Sequence, residues 1–402
     1  MTQTGADLLV VGGGLLGLSI AYLAARKNYH VLVCRLSDAA RPQADTLRNQ
    51  SWLQSGLRYI GALDTDERTL LAKEMLAGGF ELHDELGIPR PTGFGIVRLA
   101  DDAEGRKLER DAERMGVDVM KLENEPELRG LLGEFYAPES VYYATPEIPF
   151  DEPMLLRRLR EGVKDARGVV QEIRDPIELN WEGSGESRAF SVMVDGRKLS
   201  PPPLMVLAAG AGNAPLVDSM RLDAAVRLQL YRTPLLVVPT TVMRRVRIFQ
   251  DKVREFSVVS HPPSDNVPSG AMVVGTIEGT PTEFCRAHER RIPRADSEHF
   301  WRIDCLRRFQ STGRFTAGFE IAADGKRSVY PWIAKLSSNV LAAVPGRATL
   351  CMRVSRAIVE DLAPAAPATW ERDIGVEWNG PIYMHHTYHY EALNDLADTD
   401  QA

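Results

Sequence analysis

The sequence predicts an α/β protein of two lobes. One lobe is built on a parallel sheet covered by helices, and the other is an α+β lobe on a mostly antiparallel sheet. Three observations carry this. Leu8 to Arg35 reads strand, glycine turn, helix and strand within about thirty residues. Residues 225 to 330 are mostly strand-like runs separated by Pro, Gly and Asn turns. Residues 329 to 362 return to strand, turn and helix. At 402 residues the chain exceeds one ordinary core, which favours two lobes.

In the opening unit an apolar run, Leu8 to Val11, enters a turn in which Gly12, Gly14 and Gly17 form GxGxxG. Leu15 and Leu16 lie within that turn. An apolar-periodic segment follows from Leu18 to Arg26, then a second apolar run from Val31 to Cys34. This order is the context a Rossmann-like dinucleotide fingerprint requires. Gly12 allows the tight turn, Gly14 lets the backbone approach a pyrophosphate, and Gly17 lets helix and strand pack closely. The helix N-terminus then offers free N–H groups and a positive dipole end to the phosphates. The plainer reading is a glycine turn in a parallel sheet that binds nothing. Position and context favour the nucleotide. One residue departs from the pattern: the second strand of such a unit usually ends in Asp or Glu, which accepts from the ribose hydroxyls, and here that position is Arg35. Arginine cannot accept a hydrogen bond. A neighbour such as Asp38 or a backbone carbonyl holds the ribose, or Arg35 pairs with a 2′-phosphate as in NADP sites, or the site has weakened.

Composition sets outer bounds. Hydrophobic residues make up 44% and charged residues 26%, ordinary for a globular chain, and the formal net charge of −7 argues against nucleic acid as a partner. The arginines are scattered among acids and read mainly as solvated surface. Cys34, Cys285, Cys305 and Cys351 form no CxxC pair, so neither a metal site nor a disulfide framework is expected. The N-terminus lacks a basic leader, and no apolar run is long enough to span a membrane. A cytoplasmic, reduced setting is the default expectation.

Along the chain, residues 36 to 62 include a polar stretch in which Asn49, Gln50, Ser51, Trp52, Gln54, Ser55 and Gly56 crowd hydrogen-bonding groups around few apolar ones. It suits a surface loop or a loop lining a bound ring system. Residues 66 to 87 read as an amphipathic helix ended by Gly87, Pro89 and Pro91. Residues 94 to 100 read as a strand, and 103 to 132 as one or two exposed helices with charges of alternating sign. Residues 140 to 173 read as a strand, a proline-rich turn, a helix starting near Asp151 and a strand at Val169 to Ile173 that returns to the first sheet. Residues 176 to 200 look like a hairpin with Asp195-Gly196 as its turn signal. A buried strand, Leu204 to Ala208, runs into Ala209, Gly210, Ala211 and Gly212, small residues that permit close approach of a ligand. Within the antiparallel lobe, 287 to 312 is charged and reads as helical. Val340 to Ala343 is a strand, Pro345-Gly346 a turn, and Ala348 to Leu362 a helix. The tail carries His385, His386 and His389 among tyrosines, read as a packed aromatic segment rather than a metal site. His30 and His83 read as ordinary surface residues. No internal repeat is visible.

Four of these pieces, in this order, resemble the D-amino-acid oxidase-like superfamily, which includes glycine and sarcosine oxidases and glycerol-3-phosphate dehydrogenase. They are VVGGGLLGLSIAYLAARKNYHVLV, NQSWLQSGLRY, VLAAGAGNAPL and NVLAAVPGRATLCMRVSRAIVEDL. Each is short, and only the set is specific. Arg35 stands where that group has an acid, Gly346 is the single glycine of the fourth piece, and no covalent-flavin cysteine pattern is recognisable around Cys351.

The resemblance implies FAD as cofactor, held by Gly12, Gly14, Leu15, Leu16, Gly17, Arg35, Asn49, Gln50, Ser51, Trp52, Gln54, Ala209, Gly210, Ala211, Gly346, Arg347, Ala348 and Thr349. It implies hydride removal from a carbon bearing an amine or hydroxyl, in a small substrate with a carboxylate. A carboxylate calls for an Arg or Tyr clamp, and Arg58, Arg232, Tyr330 and Arg347 are the candidates. Residues Gly346 to Thr349 would place a helix N-terminus near the ring carbonyl. The expected organisation is an FAD-binding domain from 1–90, 140–215 and 329–380, a substrate domain from 91–139 and 216–328, and a tail from 381–402. An NADP-linked enzyme and a non-catalytic binding subunit are the alternatives.

Overall fold

The computed structural model describes residues 6–36, 52, 53, 75, 78, 80–175, 177–182, 189–199, 204–220, 227–238, 246, 248–253, 256–261, 270–275, 299–308, 320, 321, 327, 328, 332–337, 339–344, 348–362 and 371–373. The chain opens with β1 (Leu8–Val11), α1 (Leu15–Arg26) and β2 (Val31–Leu36), then β3 (Trp52–Leu53). Next come β4 (Gly95–Leu99), α2 (Asp102–Met115), β5 (Met120–Leu122), α3 (Glu125–Leu132), β6 (Val141–Thr145) and β7 (Ile148–Pro149). Helix α4 (Glu152–Asp165) leads to β8 (Val169–Ile173), β9 (Glu178–Glu182), β10 (Ala189–Val194), β11 (Arg197–Lys198), β12 (Leu204–Leu207) and α5 (Asn213–Ser219). Then follow β13 (Arg227–Val238), β14 (Ile248–Asp251), β15 (Phe256–His261), β16 (Gly270–Gly275), β17 (His299–Arg308), β18 (Glu320–Ile321) and β19 (Arg327–Ser328). The last elements are β20 (Trp332–Ser337), β21 (Val340–Val344), α6 (Cys351–Asp361) and β22 (Glu371–Asp373).

Seven strands form the first sheet in the order β22-β20-β21-β12-β1-β2-β8. From β21 to β8 every neighbouring pair is parallel. All four residues of β1 are buried, because a central parallel strand is covered on both faces and reads as a continuous apolar run. On one face α1 lies between α4 and α6. Its Leu15, Leu16, Leu18 and Ile20 share a core with Leu155, Leu156 and Leu159 of α4 and with Val354 and Ile358 of α6. The helices approach closely: a Cβ on Gly162 would stand 2.7 Å from the Tyr22 ring. On the other face Leu9, Val11 and Leu32 pack with Val192 and Val194 of a three-stranded sheet, β11-β10-β9, and with Val217. Residues 176 to 200 therefore make three strands rather than one hairpin. Asp195 (φ 46°) and Gly196 (φ 72°) turn β10 into β11, both in the left-handed region that such a two-residue turn requires.

The second sheet has eight strands, β17-β13-β16-β15-β14-β4-β6-β5. It is antiparallel except for β4 against β14. That pair is cross-linked by Arg98, whose Nη1 meets Asp251 Oδ2 at 2.9 Å while its Nε donates to Ser140 Oγ at 2.8 Å. Both ions are buried, so each satisfies a charge that would be costly alone. Val141–Thr145 pairs into this sheet, against β4 and β5. A two-stranded pair, β3 with β7, sits apart from both sheets, yet Trp52 of β3 packs with Ile248 and Val259 of the second.

Two expectations are corrected. The segment 287 to 312 is not helical throughout, since His299–Arg308 is a strand paired along β13 from Leu236 back to Arg227. Charge gives a helical look, but ten residues of long-range pairing override local propensity. His83 is not a surface residue: it is 1% exposed, in the helical stretch 80–85, whereas His30 is exposed.

Candidate functional site

The site is set by strand ends. In parallel sheets ligands bind beyond the carboxyl ends of the strands. The ends of β21, β12, β1 and β2 lie side by side, at Val344, Leu207, Val11 and Leu36.

The glycine turn is built as the spacing predicts. Gly12 has φ +124° and donates its N–H to Cys34 O at 2.9 Å. A Cβ on Gly12 would collide with the Ala208 carbonyl, and one on Gly17 with the Gly12 carbonyl. Gly14 caps α1 in an extended conformation with no side-chain hydrogen bond, and the first turn of α1 contains no acid. Leu15 and Leu16 send their side chains into the core, so they offer a ligand only backbone N–H groups. Arg35 is 7% exposed, lies against the turn at Gly13, and pairs through Nη2 with Glu172 Oε1 at 2.8 Å.

Beside this turn, Ala209 follows β12 and precedes a short 3₁₀ turn, Gly210–Gly212, with Ala211 at its centre, and Gly210 has φ +57°. Asn213 holds the region together. Its Oδ1 accepts from Ala209 N at 2.8 Å, and its Nδ2 donates to Leu207 O at 3.2 Å and Ala343 O at 3.1 Å. One buried amide thus ties the ends of β12 and β21. The sequence pointed to the small residues and missed this one, although an asparagine directly after a glycine turn is a capping signal.

Ala348 and Thr349 lie in a 3₁₀ turn, Ala348–Leu350, that runs into α6. The Thr349 hydroxyl is buried and has no hydrogen-bond partner among the described residues. A Cβ on Gly78 would collide with the Thr349 carbonyl, so a helical residue of the early chain abuts this turn. Trp52 is 4% exposed and donates from Nε1 to the buried carboxylate of Glu147. Burial pushes the Cys34 thiol up to about 12, with Asp195 adding to the shift. Burial raises the Cys351 thiol as well, with a smaller contribution from Glu152. Both thiols stay protonated at neutral pH and are poor nucleophiles.

Of the other candidates, Arg232 lies in β13 opposite Ile303. Asn49, Gln50, Ser51, Gln54, Arg58, Tyr330, Gly346 and Arg347 lie outside the described residues, as do the tail histidines. Among the described residues no His, Cys, Asp and Glu cluster could hold a metal ion, and no helix is long and apolar enough to cross a membrane.

These features define a dinucleotide-binding α/β protein with a second, largely antiparallel sheet. The model of the FAD dependent oxidoreductase family, DAO, matches residues 7–327, and the chain belongs to that family. Its fold is similar to that of iminodiacetate oxidase from Chelativorans sp. BNC1, at 16% identity and TM-score 0.61 over 90% of this chain and 96% of that one. Glycine oxidase from Geobacillus kaustophilus is similar at 15% identity and TM-score 0.58, over 90% and 96%. L-proline dehydrogenase from P. horikoshii is similar at 13% identity and TM-score 0.60, over 91% and 95%. No curated protein sequence matches.

The protein is an FAD-dependent oxidoreductase. The residues present fit the cofactor: glycines where a Cβ would strike the backbone that forms the turn, a helix start with no side-chain cap and no acid, and a buried Thr349 hydroxyl with no partner among the described residues. FAD supplies acceptance of a hydride. The α1 N–H groups would hold the pyrophosphate, and Asn213 ties the ends of β12 and β21 to each other.

Proposed function

We propose that this enzyme oxidises a small amino acid or related amine bearing a carboxylate. A hydride leaves the carbon that carries nitrogen, the nitrogen loses a proton, and an imine results. The observation that carries this reading is the glycine cradle joined to a second sheet, within a family match that spans both. The similar folds support an amine over a hydroxyl, because iminodiacetate, glycine and L-proline each combine an amine with a carboxylate.

In this reading residues 1–90, 140–215 and 329–380 bind FAD and 91–139 with 216–328 bind substrate, β6 being counted with the substrate sheet that it joins. Arg58, Arg232, Tyr330 and Arg347 are the proposed carboxylate clamp. Arg232 sits on the long strand β13 and is the first to test. Asn49, Gln50, Ser51, Trp52, Gln54, Gly346, Arg347 and Ala348 are proposed around the flavin. The NADP-linked alternative is set aside, because the family is FAD dependent and Arg35 is already paired to a carboxylate that would repel a 2′-phosphate.

The experiment is anaerobic mixing of the flavin-loaded protein with glycine, sarcosine, proline and iminodiacetate, and separately with lactate and 2-hydroxyglutarate. Bleaching of the oxidised flavin absorbance by at least one amine and by neither hydroxy acid is expected. Bleaching by a hydroxy acid alone, or by nothing in either set, overturns the assignment. Oxygen uptake in the same assay separates an oxidase from a dehydrogenase.

A further inference from the structure

The C-terminal end of β2 is where such a unit offers a carboxylate to the adenosine ribose, and Arg35, the penultimate residue of that strand, has no acceptor to offer. The sheet supplies one from the next strand. Strand β8 runs parallel to β2, and the register sets Glu172 beside Arg35. Arg35 Nη2 meets Glu172 Oε1 at 2.8 Å, with the arginine side chain 8% exposed and the glutamate 60% exposed. The stem of Arg35 lies on the glycine turn: a Cβ on Gly13 would stand 2.8 Å from Arg35 Cβ and 3.1 Å from its Cδ. A row therefore runs outward from the turn, from Gly13 to the arginine stem, the guanidinium and the Glu172 carboxylate.

We propose that Glu172 is the ribose acceptor of this protein and that Arg35 is the residue that positions it. The carboxylate has moved one strand outward, from β2 to β8. A carboxylate has about four acceptor sites, so contact with one guanidinium leaves capacity for a ribose hydroxyl. Its exposure leaves it within reach of a ligand at the strand ends. The guanidinium also balances a charge that would otherwise stand near the pyrophosphate with nothing to offset it. The inference rests on the FAD assignment and adds a residue that neither the glycine fingerprint nor the end of β2 points to.

The test uses the full-length chain stripped of flavin, titrated with FAD and with an FAD analogue whose adenosine ribose lacks both hydroxyls. Binding is read from flavin fluorescence. The wild type is expected to bind FAD about tenfold tighter than the analogue, the scale of one hydrogen bond to a charged group. Glu172→Met is expected to bring the two affinities together while leaving that of the analogue unchanged. Arg35→Met is expected to shrink the ratio, because the carboxylate is no longer held. The ratio is internal to each variant, so general loosening of the site lowers both affinities and leaves it intact. If Glu172→Met does not fold, the paired variant R35M/E172M gives the same reading without a buried arginine left over. A Glu172→Met or paired variant that keeps the wild-type ratio overturns the proposal, and so does a wild type that does not distinguish the two compounds. A wild type that binds neither would remove the cofactor assignment itself, and this inference with it.

Discussion

Helices α1 and α4 lie against each other on the same face of the first sheet, yet they begin in opposite ways. Helix α4 is closed by its own chain: Asp151 accepts from Met154 N at 2.9 Å, and Glu152 complements the dipole in the first turn. Helix α1 starts on Gly14, with no side chain on its N–H groups and no acid in its first turn. Helix α2 follows α4, since Asp101 accepts from Ala103 N at 2.8 Å and from Glu104 N at 3.0 Å. A start closed by a carboxylate contributes to folding. A start left open costs some stability and keeps its donors for an anion.

That contrast can be broken from either side, and the largest effect is expected at the turn itself. Gly17→Val drives a side chain into the Gly12 carbonyl, and we predict loss of FAD retention with a destabilisation of about 3 kcal/mol. Flavin content and thermal midpoint of the purified variant check this, and a yellow protein of normal midpoint would refute it. Asn213→Leu removes three hydrogen bonds to buried backbone and is predicted to cost about 2–3 kcal/mol with weaker FAD binding. A denaturant titration showing no change would count against the clamp.

Gly14→Asp sharpens the comparison, because it gives α1 the start that α4 has. Gly14 has φ −81° and ψ −175°, which any residue adopts. The flavin-free protein should gain about 1 kcal/mol, while FAD affinity falls about tenfold or more through repulsion of the pyrophosphate. Changes of the same sign in both measurements would contradict the reading. Asp151→Ala is the control, with a predicted loss of about 1 kcal/mol and unchanged FAD affinity. Any loss of FAD affinity beyond twofold would show that α4 does not act independently. The smallest effect concerns Cys34 and Cys351, whose thiols are buried and shifted upward. Iodoacetamide at pH 8 should leave both unlabelled in the native protein and label both after denaturation, as read by peptide mass mapping.

Much of the first lobe was legible in the chain. The β1-turn-α1-β2 unit, the α4 start at Asp151, the strand Val169–Ile173 and the strand beginning at Val340 all rest on local signals: glycine spacing, a cap and apolar runs. What was misread depended on distant partners. The strand His299–Arg308 carries charged residues that look helical until β13 is beside it. The burial of His83 and the Arg98–Asp251 bridge are set by elements far apart in sequence. Asn213 was partly legible, since its place after the glycine turn marks a cap, but its bond to Ala343 needed β21 alongside β12.

By itself the sequence determined the path of the opening turn, because three glycines at that spacing fix where the backbone runs and Gly14 puts no side-chain cap on the helix that follows, and both are local properties. Only the tertiary structure decided what surrounds that turn. It brought the ends of β12 and β21 next to β1, laid Arg35 across Gly13, and set Glu172 at its tip. The physical reason is that parallel neighbours are joined by long crossovers, so which strand lies beside which is chosen by burial of whole faces and not by any short run of residues.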